Sequence, residues 1–544
     1  MKADSLILGD IYSIARDDCP EAGLSEQLFC AMQINAAGRI VRLFKPGEKL
    51  PSGLTEIKPN GKAIVPAFTD SHAHFISKAV LAALAVNLAR LENERIVPDS
   101  LEGVRQLLLA ESSGGRKLLA AYGLCIAALK EKRLPVSAEL DAWFPGREVI
   151  ILSMDGHSSA YSSLALKKLK LEALAEDGIL RAEAHEFNMG RVSGRILHGL
   201  KPAALAAGLA GAVREAIESG LVSIHCLEGT EDRFFDPGIL LMKLLGGRLG
   251  PRLRLYLQYS AQVKAQRHQH SLHRLRAGGC LSWEMDGSVS SRSAAMDTAY
   301  LDGSGSGQLY RSPAEALAMA RPYYSRGWQL AAHAIGPRGI ESILWAYETL
   351  MDEAADQNNH LRLRIEHFEF PRPDQIERAG RRKLVLSVQP GFAWADARWI
   401  HSYETALPAE VRAAQCPLRA LQDSGCRLSL STDAPVQPLN PFYQIAGAVN
   451  HPNARHSLSI YESLRAYSYG GAYAAGEESD RGSLETGKFA DFAVLDTDPF
   501  CIPTEQLHQV LVSETWHEGR PMQAPPETLP GFIRHILTSR PRKL

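Results

Sequence analysis

The chain has no run of eighteen consecutive apolar residues, so nothing in it predicts a transmembrane helix. It has no charge surplus: 60 Lys and Arg stand against 61 Asp and Glu, a net charge of −1. Electrostatic capture of nucleic acid or of an anionic membrane is therefore not expected. Its eight cysteines (Cys19, Cys30, Cys125, Cys226, Cys280, Cys416, Cys426 and Cys501) form no CxxC pair and no framework spacing. A chain of 544 residues needs no covalent staples, and these read as reduced thiols. The first residues carry Asp4 and Asp10 and no apolar stretch long enough for a secretion signal, so the expectation is a cytoplasmic protein. Internal repeats and low-complexity tracts are also missing.

What is present is ordinary globular material, 45% apolar and 22% charged. Residues 1–62 contain short strand-like runs separated by turn signals at Ala37-Gly38 and Pro46-Gly47. Residues 483–525 have the same texture, which predicts a small β-sandwich domain built from both ends, with 526–544 as a C-terminal tail. Between them, 63–482 alternates strand candidates with helical stretches, one opened by the capping box Ser312-Pro313-Ala-Glu315. That alternation predicts α/β architecture: a distorted (β/α)8 barrel of the TIM type. The strand candidates are Lys117–Tyr122, Glu148–Met154, Leu221–His225, Leu253–Gln258, Cys280–Met285, Gln329–His333, Leu361–His367, Leu384–Gln389 and Arg427–Thr432. With the run Ile64–Phe68 they exceed eight, so an insertion is expected around 90–210.

Chemistry in such barrels sits at the C-terminal strand ends. Ile64–Phe68 reads as a buried strand followed by Thr-Asp70-Ser71-His72-Ala73-His74. In extended chain, residues i and i+2 point the same way, so both imidazoles can meet one point, and imidazole is the commonest transition-metal ligand. His333, His367 and Asp433 end three further strands. Singly each reads as a structural residue; together, at one end of successive strands, they predict a divalent metal site.

The motifs Pro66-Ala-Phe-Thr-Asp-Ser-His-Ala-His74, Asp155-Gly-His157-Ser, His333-Ala-Ile-Gly336, Arg364-Ile-Glu-His367, Ser387-Val-Gln-Pro390, Ser431-Thr-Asp433-Ala-Pro-Val and Gly482-Ser-Leu-Glu-Thr-Gly-Lys resemble those of the amidohydrolase superfamily. Within it the chain is most similar to the amidohydrolase-3 group, with the N-substituted formamide deformylases and D-aminoacylase relatives. The resemblance implies a metal-dependent hydrolase of a non-peptide C–N bond (N-acyl, N-formyl or cyclic amide) acting through metal-bound hydroxide. It implies zinc, one or two ions, with His72 and His74 at the more buried position and His333 and His367 at the second or on substrate. Asp433 would be the general base. Deamination of a small heterocycle, or a non-catalytic small-molecule-binding barrel, are the competing expectations. The partner expected is a small molecule, with a homodimer left open.

The chain departs from the group where a bridging lysine is usual: Gly279-Cys280-Leu-Ser-Trp-Glu284-Met-Asp286 contains none. Ser282, Glu284 and Asp286 share a face by strand periodicity. Glu284 is either the bridging ligand or a partner orienting a ligating histidine. After His333 the chain reads Gly336-Pro337-Arg338 where the group often has Gly-Asp, a change expected in support and not in chemistry. Further substrate-binding candidates are His157, His225 with Glu228, and Arg292 as a carboxylate clamp, each with a purely structural alternative. Glu183–His198 reads as a lid. His268, His270 and His273 read as a solvated helix face.

Overall fold

The computed structural model describes residues 4–16, 23–92, 95–111, 117–197, 201–229, 239, 242, 246–258 and 275–539. Its centre is eight parallel strands: β1 (Phe68–Ala73), β2 (Leu221–Glu228), β3 (Arg252–Leu257), β4 (Arg276–Glu284), β5 (Gln329–Ala334), β6 (Arg364–His367), β7 (Val385–Val388) and β8 (Arg427–Leu430). Each pairs with the next, and β8 returns to β1 through a parallel bridge from Ala434 to Ala73. Nearly every strand residue is buried, as expected of parallel strands enclosed on both faces. Phe68, at the base of β1, takes edge-to-face contacts from Phe442 and Tyr467 at 5.6 and 5.8 Å. The expected barrel is present.

Two of the surplus strand candidates lie outside it. Leu118–Leu124 and Glu148–Ser153 belong to a separate five-stranded sheet with Ala85–Asn87, Ser158–Tyr161 and Ile179–Arg181. This inserted sheet has its own core of Leu88, Val104, Leu119, Val149 and Ile151 among others.

Strands from both ends of the chain join one eight-stranded sheet. Ser5–Tyr12, Leu28–Ile34, Ile40–Phe44, Thr55–Ile57 and Ala63–Pro66 meet Phe492–Leu495, Val512–His517 and Arg520–Pro521. The run read as one strand over Ile64–Phe68 is in fact two: Ala63–Pro66 pairs with Phe492–Leu495, and Phe68 begins β1. Only Ala67 separates them. Within the stretch assigned as a tail, Leu529–Thr538 is a helix whose Phe532 is buried and whose Ile536 and Ser539 carbonyls accept bonds from Arg248. His268, His270, His273 and His198 lie outside the described residues.

The barrel interior below the strand ends is polar and paired. Arg254, Arg276 and Arg364 are fully buried. Arg364 holds Glu366 through Nε to Oε1 at 2.5 Å and Nη2 to Oε2 at 2.7 Å, while Arg254 and Arg252 hold Glu477. A buried guanidinium requires such a partner, because an unpaired one costs several kcal/mol.

Candidate metal centre

Four imidazoles converge at the C-terminal end of the barrel, each pinned by an acceptor on its outer side. His72 Nδ1 meets Glu366 Oε2 at 2.7 Å, and His74 Nδ1 meets the Leu227 carbonyl at 2.9 Å. His367 Nδ1 meets Gln389 Oε1 at 2.7 Å, and His333 Nε2 faces the Gly287 carbonyl at 3.4 Å. Each acceptor favours a proton on the outer nitrogen, which leaves the inner nitrogen the one able to offer a lone pair to a cation; against burial, Asp433 and Cys280 raise His72 and His74 well above the usual histidine range. Those inner atoms do not satisfy one another. His367 Nε2 is buried without a hydrogen-bond partner, and Asp433 Oδ1 lies 3.1 Å from His72 Nε2 and 3.4 Å from His74 Nε2. Lone pairs and a carboxylate facing inward are the chemistry of a cation site.

The sixth inward group is Cys280, one of the eight cysteines read as reduced thiols, to which the sequence assigns no site role. Its Sγ lies 3.6 Å from His72 Nε2 and 3.9 Å from His333 Nδ1. Three overlapping donor sets result: His72, His74 and Asp433; His72, Cys280 and His367; and Cys280, Glu284 and His333. Within each set the donor atoms fall within 4.8 Å of one another. Nitrogen, thiolate and carboxylate donors together suit a divalent cation of borderline softness. Glu284 is thus brought to the cluster, as expected for a ligand, but its face-mates are not.

The reason is a bulge. Pairing with β5 runs Gly279 to Ala332 and then jumps to Glu284 opposite His333. Leu281 takes a φ of 56°, and a Cβ at Gly278 would meet the Ala331 carbonyl oxygen at 1.8 Å. The bulge breaks the two-residue alternation and turns Cys280 and Glu284 into one site. Ser282 instead donates to the Gln258 carbonyl, and Asp286 accepts from Ile335 N at 2.9 Å and Gly336 N at 2.7 Å. Asp286 therefore supplies the acceptor that Pro337 cannot. His367 and Asp433 likewise sit at φ of 69° and 56°. Such left-handed non-glycine residues are costly and collect at functional sites. At His367 the turn brings it to the same cluster as its chain neighbour Glu366.

Asp70 ties the first and last strands together. It accepts from His72 N, Thr432 N, Thr432 Oγ1 and Tyr467 OH, which fixes His72 against the Asp433 loop. Burial pushes its carboxyl up to about 6 against those bonds. Burial also opposes charge on Asp433 and Cys280, yet His72 and its neighbours hold both well below their usual ranges. His333, buried and beside His367, is held down at about 4.

Two adjoining chambers reach this centre. The inner one, about 170 Å3, is lined by His74, Cys280, Glu284, His333 and Asp433. The outer one, about 200 Å3, has Phe392, Trp399, Tyr403 and Tyr443 as walls. His157, His367 and Asp433 line both. His157 carries a partner the sequence did not signal: Nδ1 meets Glu186 Oε1 at 2.8 Å. Glu186 comes from the segment read as a lid, which forms the short helices Ala182–Glu186 and Met189–Leu197 and lends Met189 and Ser193 to the wall.

The remaining candidates are placed elsewhere. His225 is fully buried in the barrel interior, accepting from Arg364 Nη1 at 2.9 Å, and burial with the nearby arginines lowers it well below the usual histidine range. It lines neither chamber. Glu228 accepts from Ile76 N and anchors the helix Phe75–Leu84. Arg292 gives Nε to Asp302 at 2.6 Å and Nη1 to the Val289 and Ser290 carbonyls, at a neighbouring cavity outside the histidine cluster. Its guanidinium is committed, and the carboxylate-clamp expectation is not met by this geometry.

Eight parallel strands with histidine, cysteine and carboxylate side chains gathered at their C-terminal ends have the architecture of a barrel enzyme, a fold that does not by itself fix the reaction. The chain belongs to the amidohydrolase family, whose model matches residues 56–523. It is similar to YtcJ of Bacillus subtilis (strain 168), classed by name among the amidohydrolases, at 25% identity over 86% of this chain and 90% of that one. It is similar to the N-substituted formamide deformylase of Arthrobacter pascens at 29% identity over 36% of each chain. The fold matches an uncharacterized metal-dependent hydrolase from Pyrococcus horikoshii OT3 with a TM-score of 0.66 at 22% identity, covering 92% of this chain and 99% of that one.

Proposed function

We propose that this protein is a divalent-metal hydrolase of a non-peptide carbon–nitrogen bond in a small molecule, of the N-acyl, N-formyl or cyclic amide kind. The observation that carries this is the orientation of four imidazoles, each held at its outer nitrogen and turning the other towards Cys280 and Asp433. His72, His74 and Asp433 would hold one cation, and Cys280, His333 and His367, with Glu284 beside them, a second. Zinc suits these donors. A divalent cation bound there supplies a water of pKa near 7 and polarises a carbonyl.

The chain's own residues do the rest. Asp433, held as a carboxylate, accepts the proton of the attacking water and returns it to the departing nitrogen, which leaves poorly as an anion. Glu366, Gln389 and the Leu227 carbonyl hold the outer nitrogens of His72, His367 and His74 and so aim their inner nitrogens at the centre. Asp70 keeps Asp433 and His72 in register.

The test is elemental analysis joined to an amide panel read separately for amine, formate and ammonia. Bound metal with amine or formate release supports the reading, and Asp433→Asn should then lower turnover by about 10²–10⁴-fold. Ammonia as the sole nitrogen product would assign a deaminase. Metal-free protein without turnover would assign a binding barrel.

A further inference from the structure

Beside the metal centre, and sharing Glu284 with it, lies a second buried group: His157, Glu186 and Glu284, whose nearest donor atoms fall within 4.8 Å of one another. His157 is 9% exposed and both carboxylates 2%. Two buried carboxylates here share one imidazole. His157 serves Glu186; Glu284 Oε1 accepts from Leu281 N at 2.7 Å, and Glu284 Oε2 has no hydrogen-bond partner among the described residues. Among the described residues no lysine or arginine lines the inner chamber. Arg311, whose charge reaches Glu284, spends its Nε on the Ser282 carbonyl. An unpaired buried carboxylate oxygen costs free energy that a positively charged donor would recover.

The kind of cation follows from the histidine. At the metal centre every imidazole is bonded on its outer side and turns its other nitrogen inward. His157 is reversed: its bonded nitrogen faces Glu186, inside the group. With His157 Nδ1 engaged by Glu186, the acceptors left in the group are carboxylate oxygens, which suits a cation that donates N–H bonds.

We infer that His157, Glu186 and Glu284 form a subsite for a positively charged nitrogen of the substrate, an ammonium or amidinium. This rests on the hydrolase reading and narrows it to substrates with a basic group close to the scissile bond. Glu284 shares its donor set with Cys280 and His333, so the charged nitrogen would stand close to the scissile bond. The aromatic chamber, which shares His157, would take the apolar remainder.

The test is calorimetric binding of benzamidine against its neutral isostere benzamide to the metal-loaded protein, with Glu186→Gln and Glu284→Gln variants. Charge-assisted bonds to carboxylate predict that benzamidine binds about 10–100-fold more tightly, and that each variant erases most of that preference. The metal count of Glu186→Gln should equal that of the parent, and its melting profile reports whether it is folded. Equal affinity for the two probes, or a preference unchanged in both variants, would overturn the subsite. Loss of a metal equivalent in Glu186→Gln would also overturn it, because the group would then be a metal position. Failure of the hydrolase reading shows up elsewhere, as absent metal and absent turnover, while the two probes still differ.

Discussion

Glu366 Oε2 lies 2.7 Å from His72 Nδ1 while both its oxygens are held by Arg364, so one carboxylate joins the barrel's buried arginine layer to the metal centre. Arg364 holds the Glu366 carboxyl down at about 2 against burial, which raises it. Glu366→Gln removes the charge and leaves the shape. The expected result is metal affinity weaker by about 10–100-fold in chelator competition, with a lowered melting temperature because Arg364 loses its counter-ion.

Cys280 stands in two of the three donor sets at the centre. Cys280→Ser should bind fewer metal equivalents than the parent by elemental analysis. The cobalt-substituted parent should show thiolate-to-metal charge-transfer absorption, and the variant should lack it. An unchanged spectrum would remove Cys280 from the ligands.

Glu477 is buried, yet Arg254, Arg252 and Arg481 hold it down at about 2, below the ordinary 4.5. A carboxylate depressed in the folded state stabilises above its unfolded pKa, and that contribution fades as pH falls through the folded value. The difference of about 2.5 units corresponds to on the order of 3 kcal/mol. Urea denaturation of the parent and Glu477→Gln should show a gap that is full above about pH 5 and narrows towards about pH 2. A gap independent of pH would sink the assignment.

Trp399 forms part of an aromatic wall with Trp394 and Tyr443, at ring separations of 4.9 and 6.0 Å. Its indole faces the outer chamber. Trp399→Ala should lower kcat/KM for an aryl-bearing amide by about 10-fold or more, chiefly through KM, and spare its methyl analogue. Equal losses on both substrates would mean the wall shapes the centre and not the substrate.

The barrel was legible because buried parallel strands leave apolar runs, and the convergence of His72, His74, His333, His367 and Asp433 because strand ends put them at fixed places. Cys280 was not. Its role depends on the bulge at Leu281, and alternation pointed instead to Ser282 and Asp286, which turned out to brace carbonyl and amide groups. Glu186 was hidden for another reason: it reaches His157 across 29 residues of an inserted sheet, a contact that only tertiary packing creates. His225 and Arg292 carried the right chemistry at a strand end and in a loop. Arg364 and Asp302 claimed them first.

The single residue between the two sheets has a mechanical meaning. Ala63–Pro66 is gripped by Phe492–Leu495 from the far end of the chain, and β1 starts after one intervening residue, four residues before His72. So short a link cannot absorb slack: any fraying at the carboxyl end would travel up β1 and disturb the spacing of the two histidines. Trimming back from the last residues should therefore be tolerated only until the grip on this strand is lost, at which point metal retention would fail before the barrel itself melts.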